Sequence, residues 1–273
     1  IQAYGDLCVS SKTGYHIHEL KELMTTKLPT DDQTGKIVGD LLSPLDFVVL
    51  VVPIDSAAPK GRLILPQQQV IRDVLESGAT AIVCRDTELA DTLKKLGQPP
   101  KLVITDSQAF ASVSKDTPKN IPLTSFSILF SRYKGDLQTQ IEGVKMLDKL
   151  KDGDTILMAE GCTHHRQCGD IGSVKLPNWL KEYTGKNLEI VLSSGHGFPE
   201  ELSDFALCIH CGGCMLGSKE LTYRMKCACD AGVPFTNYGI AIAYMKGILK
   251  RSIGVLPHLV KELEDHNGGQ RTY

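Results

Sequence analysis

The sequence contains no Gly-x-x-x-x-Gly-Lys-Ser/Thr phosphate loop, so nothing in it would cradle the β- and γ-phosphates of a nucleoside triphosphate. It also lacks an apolar run near the ~20 residues a membrane-spanning helix needs. The longest such run, 47–52 with its flanks, is of strand length. Neither sign of charge dominates. Thirty Lys+Arg stand against thirty-two Asp+Glu, a formal charge of −2, which argues against nucleic acid or another polyanion as a partner. No signal peptide precedes the cysteines, and their odd number, nine, unevenly spaced, argues against a disulfide framework. That pattern fits thiolate chemistry in a reducing cytosol. The chain begins with Ile rather than Met, which is expected of a processed or truncated chain, and its 273 residues suffice for two domains with separate cores.

What the sequence does have is two tight groups of soft-metal donors. Cys162-Thr163-His164 is one, and His210-Cys211-Gly212-Gly213-Cys214 is the other. Thiolate sulfur and imidazole nitrogen suit iron–sulfur clusters and zinc. A Cys-x-x-Cys pair lets two thiolates from one turn reach one centre, and the intervening glycines remove bulk where the backbone must curl. Cys162, Cys211 and Cys214 are therefore read as metal ligands. Cys8, Cys84, Cys208, Cys227 and Cys229 are read as buried apolar side chains, the ordinary state of a free cysteine.

Along the chain, strand-like and helix-like patterns alternate. The apolar stretch 46–53 reads as a strand buried on both faces of a parallel sheet. A helix is expected over 66–77, a strand over 80–84, a helix over 87–96 and a strand over 101–105. Residues 125–130 are expected to add another strand, and 115–122 to form a loop between the halves. The second half then starts with an amphipathic helix over 136–150, carrying Ile141, Val144, Leu147 and Leu150 on one face. Strands follow over 155–159, 187–192 and 205–209. The expected fold class is α/β, with two domains, each a mostly parallel β-sheet flanked by helices. Both donor groups fall just beyond the carboxyl ends of predicted strands, where ligands bind in open α/β sheets. The apolar, sparsely charged strands of the middle segment leave an edge in need of cover, so a homodimer through that segment is expected.

Near the start, Ser10-Ser11-Lys12 with the following 18–24 segment looks like the last guanine-contacting loop of a small GTPase and its closing helix, although an ordinary helix cap accounts for the same residues. Taken with Asp55-Ser56-Ala57-Ala58-Pro59-Lys60-Gly61-Arg62 and the Cys-x-His…His-Cys-x-x-Cys pattern, the chain resembles the HydF family of iron-only (FeFe) hydrogenase maturation factors. The resemblance implies a GTPase-domain remnant over 1–34, a dimerisation domain over 35–122 and an iron–sulfur cluster domain over 123–273. It implies a 4Fe–4S cluster on Cys162, Cys211 and Cys214, with His164 and His210 matching the family's histidines. It further implies a cytoplasmic scaffold and carrier that receives a diiron precursor from radical-SAM maturases and delivers it to apo-hydrogenase. GTP and Mg would belong to a domain absent from this sequence, so this chain is not expected to be an enzyme by itself.

The loop after Cys162 departs from the family, which tends to carry acidic residues where this chain has Arg166-Gln167-Cys168-Gly169. Cys168 or Asp170 is therefore a candidate fourth ligand, with Cys168 as a plain loop thiol the competing reading. A structural zinc site of Cys3His type uses the same donors. A zinc hydrolase with Glu160 as base and a Cys211/Cys214 thiol–disulfide oxidoreductase are further alternatives; the latter lacks the strand–CxxC–helix context with an adjacent Trp. His196 is a candidate outer donor on a strand-end loop. His16, His18, His258 and His266 are expected at the surface, and Trp179 and Tyr183 on one packing face of a helix.

Overall fold

The computed structural model describes residues 7–20, 35–54, 63–161, 170–195 and 197–265. Residues 1–36 form one compact unit and 37–273 another. In the first, Ser10 turns the chain back, with its carbonyl accepting from Gly14 N–H and its N–H donating to the Tyr15 carbonyl, ahead of a short helix at 17–20. The rest of the expected 18–24 helix lies outside the described residues.

The larger unit holds two four-stranded sheets. The first comprises β1 (Phe47–Val51), β2 (Thr80–Cys84), β3 (Leu102–Thr105) and β4 (Leu123–Ser125), all parallel, in the order β2-β1-β3-β4. Helices α1 (Leu65–Glu76), α2 (Leu89–Lys95) and α3 (Phe110–Asp116) make the crossovers. β1 reads as an unbroken apolar run because it is covered on both sides. Val48 and Leu50 face one core with Val70, Val74 and Phe130, whereas Val49 and Val51 face another with Leu89, Phe110 and Val113.

The second sheet contains β5 (Thr155–Glu160), β6 (Glu189–Ser194), β7 (Leu207–His210) and β8 (Phe235–Asn237) in the order β6-β5-β7-β8, again parallel. A π-turn (Ile171–Lys175) leads into α6 (Leu176–Thr184), and α7 (Ser218–Asp230) joins β7 to β8. The α/β class with two parallel, helix-flanked sheets is as the sequence predicts. The strand order is the same in both sheets, and the local sequence through the last strand of each is similar. Pro122-Leu123-Thr124-Ser125-Phe126-Ser127-Ile128 corresponds to Pro234-Phe235-Thr236-Asn237-Tyr238-Gly239-Ile240.

That repeat corrects the strand expected over 125–130. The strand stops at Ser125, and Phe126–Lys134 is a helix, α4. Ser125 Oγ accepts from Ile128 N–H at 3.3 Å, as an N-cap does; its counterpart Asn237 accepts from Ile240 N–H at 2.8 Å and starts α8 (Tyr238–Met245). α4 is shared by both cores: Phe126, Leu129 and Phe130 pack with the first sheet, and Ile128 with the second. The helix expected over 136–150 is shorter, with α5 (Leu137–Val144) tightening into a 3-10 turn (Lys145–Lys149). Its four predicted apolar positions are all buried together in the second core. Two short helices, α9 (Leu249–Ser252) and α10 (Pro257–Asp265), close the described chain. Arg251 of α9 reaches back to the end of α3 and the loop after it, donating to the carbonyls of Ser114, Thr117 and Pro118 at 2.7–3.1 Å. Among the described residues, no helix is long and apolar enough to cross a membrane.

Candidate functional site

The carboxyl ends of both sheets open onto one cavity of about 260 Å³. Asp106, Ser107 and Gln108 reach it from the end of β3, and Phe126 and Ser127 from the start of α4. From the second half come Glu160 at the end of β5, Cys211, Gly212 and Cys214 after β7, and Tyr238 and Gly239 at the start of α8. The two helix starts meet closely: a Cβ on Gly239 would lie 2.3 Å from Ser127 Cβ, so the repeat tolerates a side chain on only one of the two helices. Gly172 is constrained likewise, since its Cβ would lie 2.5 Å from both Glu160 Oε1 and the Tyr238 hydroxyl.

Strand β7 delivers the second donor group to this cavity. The Cys211 N–H donates to the Ala159 carbonyl at 2.7 Å, continuing the sheet one residue past β7. Gly213 takes φ +60°, a left-handed conformation that glycine adopts without strain, and so brings Cys214 back to the same cavity wall. The Cys211 sulfur accepts from Gly161 N–H at 3.1 Å and from Gly213 N–H at 3.4 Å. Gly161 is the residue before Cys162, so the chain entering the first donor group lies against the first thiol of the second. Cys162, His164, Cys168 and His196 lie outside the described residues. Among those described, no three side chains of ligand type gather as a metal site. Asp170 lines the cavity, and its carboxylate caps the π-turn by accepting from Ser173 N–H at 2.9 Å and Ser173 Oγ at 3.0 Å.

His210 is fully buried beneath the loop. Its Nδ1 lies 2.7 Å from the Cys211 carbonyl and its Nε2 3.4 Å from Arg224 Nη1. A carbonyl can only accept and a guanidinium can only donate, so the ring is the neutral tautomer with its proton on Nδ1. Burial holds its pKa down at about 4. Arg224, itself 2 % exposed, also donates to Glu220 and to the Gly195 carbonyl, each at 2.7 Å, and lies over the Phe198 ring. Both nitrogens of His210 are thus engaged by protein groups.

Of the lone thiols, Cys208 is buried as expected, and desolvation raises its pKa. Cys84 and Cys227 are half-buried, whereas Cys8 and Cys229 are exposed, contrary to expectation, because they sit on a surface turn and the outer face of α7. His18 and His258 are exposed and His16 half-buried; His266 lies outside the described residues. Trp179 packs against the second core, while Tyr183, one turn on, faces outward and bonds Asp148 at 2.8 Å.

Lys134 and Arg224 carry no sequence signal as site residues. The repeated Pro-x-Thr-Ser/Asn stretch was the legible pointer to α4, from whose end Lys134 reaches the cysteine loop. Its ammonium donates to the carbonyls of Gly213, Cys214 and Leu216 at 3.1, 3.0 and 2.9 Å.

Comparison with known proteins completes the description. No match is found among curated proteins. Among solved structures, an aspartate transcarbamoylase from Trypanosoma cruzi shares 9 % identity over 87 % of this chain and 90 % of that one, with a TM-score of 0.28. An ABC transporter solute-binding protein from Burkholderia multivorans shares 12 % over 82 % and 95 %, with a TM-score of 0.24. Scores this low carry no structural argument. Residues 37–135, however, match the family model of the Hydrogen maturase F dimerization domain, and residues 138–255 that of the Hydrogen maturase F tetramerization domain. The chain therefore belongs to the hydrogen maturase F (HydF) family, with a role in hydrogenase maturation and two domains that support self-association.

Proposed function

We propose that this chain is the carrier part of a hydrogenase maturation scaffold, holding a 4Fe–4S cluster on Cys162, Cys211 and Cys214. The observation that carries the reading is the Gly161 N–H on the Cys211 sulfur: it sets the residue before Cys162 against a thiol that shares a cavity wall with Cys214. The donors fit the group. Two thiols come from one loop, backbone N–H groups point at sulfur, and a buried ammonium stands behind the loop. Bound there by three thiolates, a cluster would supply one iron with an exchangeable position, which is what a reversible carrier requires.

The chain's own residues then divide the work. Cys162, Cys211 and Cys214 hold the metal. His210 supports the loop through its Nδ1–H bond to the Cys211 carbonyl rather than acting as a ligand. Asp170, His164 and Cys168 remain the candidates for the fourth position, Asp170 because it lines the cavity. The cargo is a diiron precursor, received from radical-SAM maturases and passed to apo-hydrogenase in the cytoplasm; nucleotide chemistry belongs to a GTPase domain outside this sequence. The dimerisation domain of that scaffold would extend past the expected boundary at 122, because β4 completes the first sheet, and the cluster domain would follow it.

Anaerobic reconstitution with iron and sulfide tests the reading. Brown protein with matching iron and sulfide is expected. Single Cys162→Ser, Cys211→Ser and Cys214→Ser variants should lose most of both, because each leaves two thiolates of the set. Colourless protein that holds zinc instead would sink the cluster and establish the Cys3His reading.

A further inference from the structure

Lys134 is the last residue of α4, a helix whose Phe126, Leu129 and Phe130 belong to the core of the first sheet. Its ammonium crosses to the loop of the second half and donates to three acceptors there, the carbonyls of Gly213, Cys214 and Leu216. An ammonium has three protons, so its hydrogen-bonding capacity is filled by the cysteine loop. The side chain is 9 % exposed and lies with Nζ 5.3 Å from the centre of the Phe130 ring. Among the described residues no carboxylate pairs with it. A cation buried against carbonyl dipoles and an aromatic ring, with no opposite charge beside it, is electrically uncompensated, which is costly in a folded protein. The ionisable groups that face it are the thiols of Cys214 and Cys211. The negative charge missing from this environment is the charge that thiolates around a metal would bring.

We infer that Lys134 is the positioning residue of the metal site. It fastens loop 213–216 in ligand-receptive form before metal arrives, and it favours the reduced, more negative state of the bound group. This inference rests on the cluster reading above for its second part only. The first part concerns the metal-free chain: carbonyls held by one buried ammonium cannot wander, so Cys214 is kept at the cavity wall. The loop's geometry also becomes conditional on α4, and hence on the packing of the first half.

The test compares the wild-type chain with Lys134→Met and Lys134→Arg. In the metal-free proteins, amide hydrogen exchange over 211–217 should quicken about tenfold or more in Lys134→Met, the consequence of losing charge-assisted bonds. The amides of β5 and β7 serve as the internal standard for global stability. Should Lys134→Met lose protection there too, Lys134→Gln, which keeps a donor, replaces it. Wild-type exchange rates in the loop would overturn the fastening role. In reconstituted protein, the reduction potential should fall in Lys134→Met and stay near the wild-type value in Lys134→Arg, which keeps the charge. Equal potentials in Met and wild type would overturn the electrostatic role. A wild-type chain that takes up no cluster, together with a loosened loop in Lys134→Met, would sink the carrier reading while supporting the fastening.

Discussion

At the scale of single residues, the cysteine loop rests on buried polar groups beneath it. His210 and Arg224 form a buried polar pair under the cysteine loop; His210 engages the Cys211 carbonyl of that loop, and Arg224 the Gly195 carbonyl just after β6. Removing one partner leaves the other unsatisfied in the interior, which costs more than the bond itself contributes. His210→Ala should therefore lower unfolding stability by about 1–3 kcal/mol in a denaturant titration. Iron bound per folded molecule after reconstitution should stay closer to wild type than in Cys211→Ser. A His210 variant of wild-type stability that has lost its cluster would show instead that the imidazole is a ligand.

At the scale of elements, two close approaches and two caps hold the frame around the cavity. α5 crosses β8 so tightly that a Cβ on Gly143 would lie 2.1 Å from the Phe235 carbonyl oxygen. Backbone cannot yield as a side chain does, so Gly143→Ala should cost about 3 kcal/mol, the upper end for overpacking, and thermal unfolding would register it. Gly239→Ala strikes a side chain, Ser127, and its loss should be partly restored by adding Ser127→Gly; strict additivity in the double mutant would refute the contact. The caps are matched by the repeat, and Ser125→Ala and Asn237→Ala should each cost about 1 kcal/mol. These elements also show why the reading of 125–130 failed. Ser125-Phe126-Ser127-Ile128-Leu129-Phe130 alternates polar and apolar at its start, which is a strand's period, whereas the deciding interaction is a cap on a helix wedged between two cores. The predicted strand over 101–105 held because a run covered on both faces reads as unbroken apolar sequence, whereas the strand over 80–84 is a half-exposed edge strand recognised by its β-branched residues.

For the whole molecule, the repeated strand order leaves β2 and β6 each at one edge of its sheet, opposite the buried edges β4 and β8, with Val83 on β2 and Val191 and Leu192 on β6 exposed. Apolar outer strands need covering, and both halves match domains named for self-association. Light scattering at micromolar concentration should give a mass above that of one chain, reduced by Val83→Asp or Val191→Asp. A monomeric wild type would refute it. With no phosphate loop in the sequence, the chain alone should show no GTP hydrolysis above a buffer blank.

The sequence by itself determined the α/β class, the parallel strands and the close spacing of thiols and imidazoles at strand ends, since these depend on local composition: apolar runs, glycine at a turn, sulfur and imidazole a few residues apart. It also carried the family resemblance that the matches over 37–135 and 138–255 established. Tertiary structure alone decided what surrounds those donors. That the two sheets share one strand order and face one cavity, that Gly161 lies on the Cys211 sulfur, and that His210 is turned to Arg224 are contacts between residues far apart in the chain. The same holds for a lysine at residue 134 fastening a loop at 213–216. No local pattern encodes such pairs, because they come about only when separate elements pack.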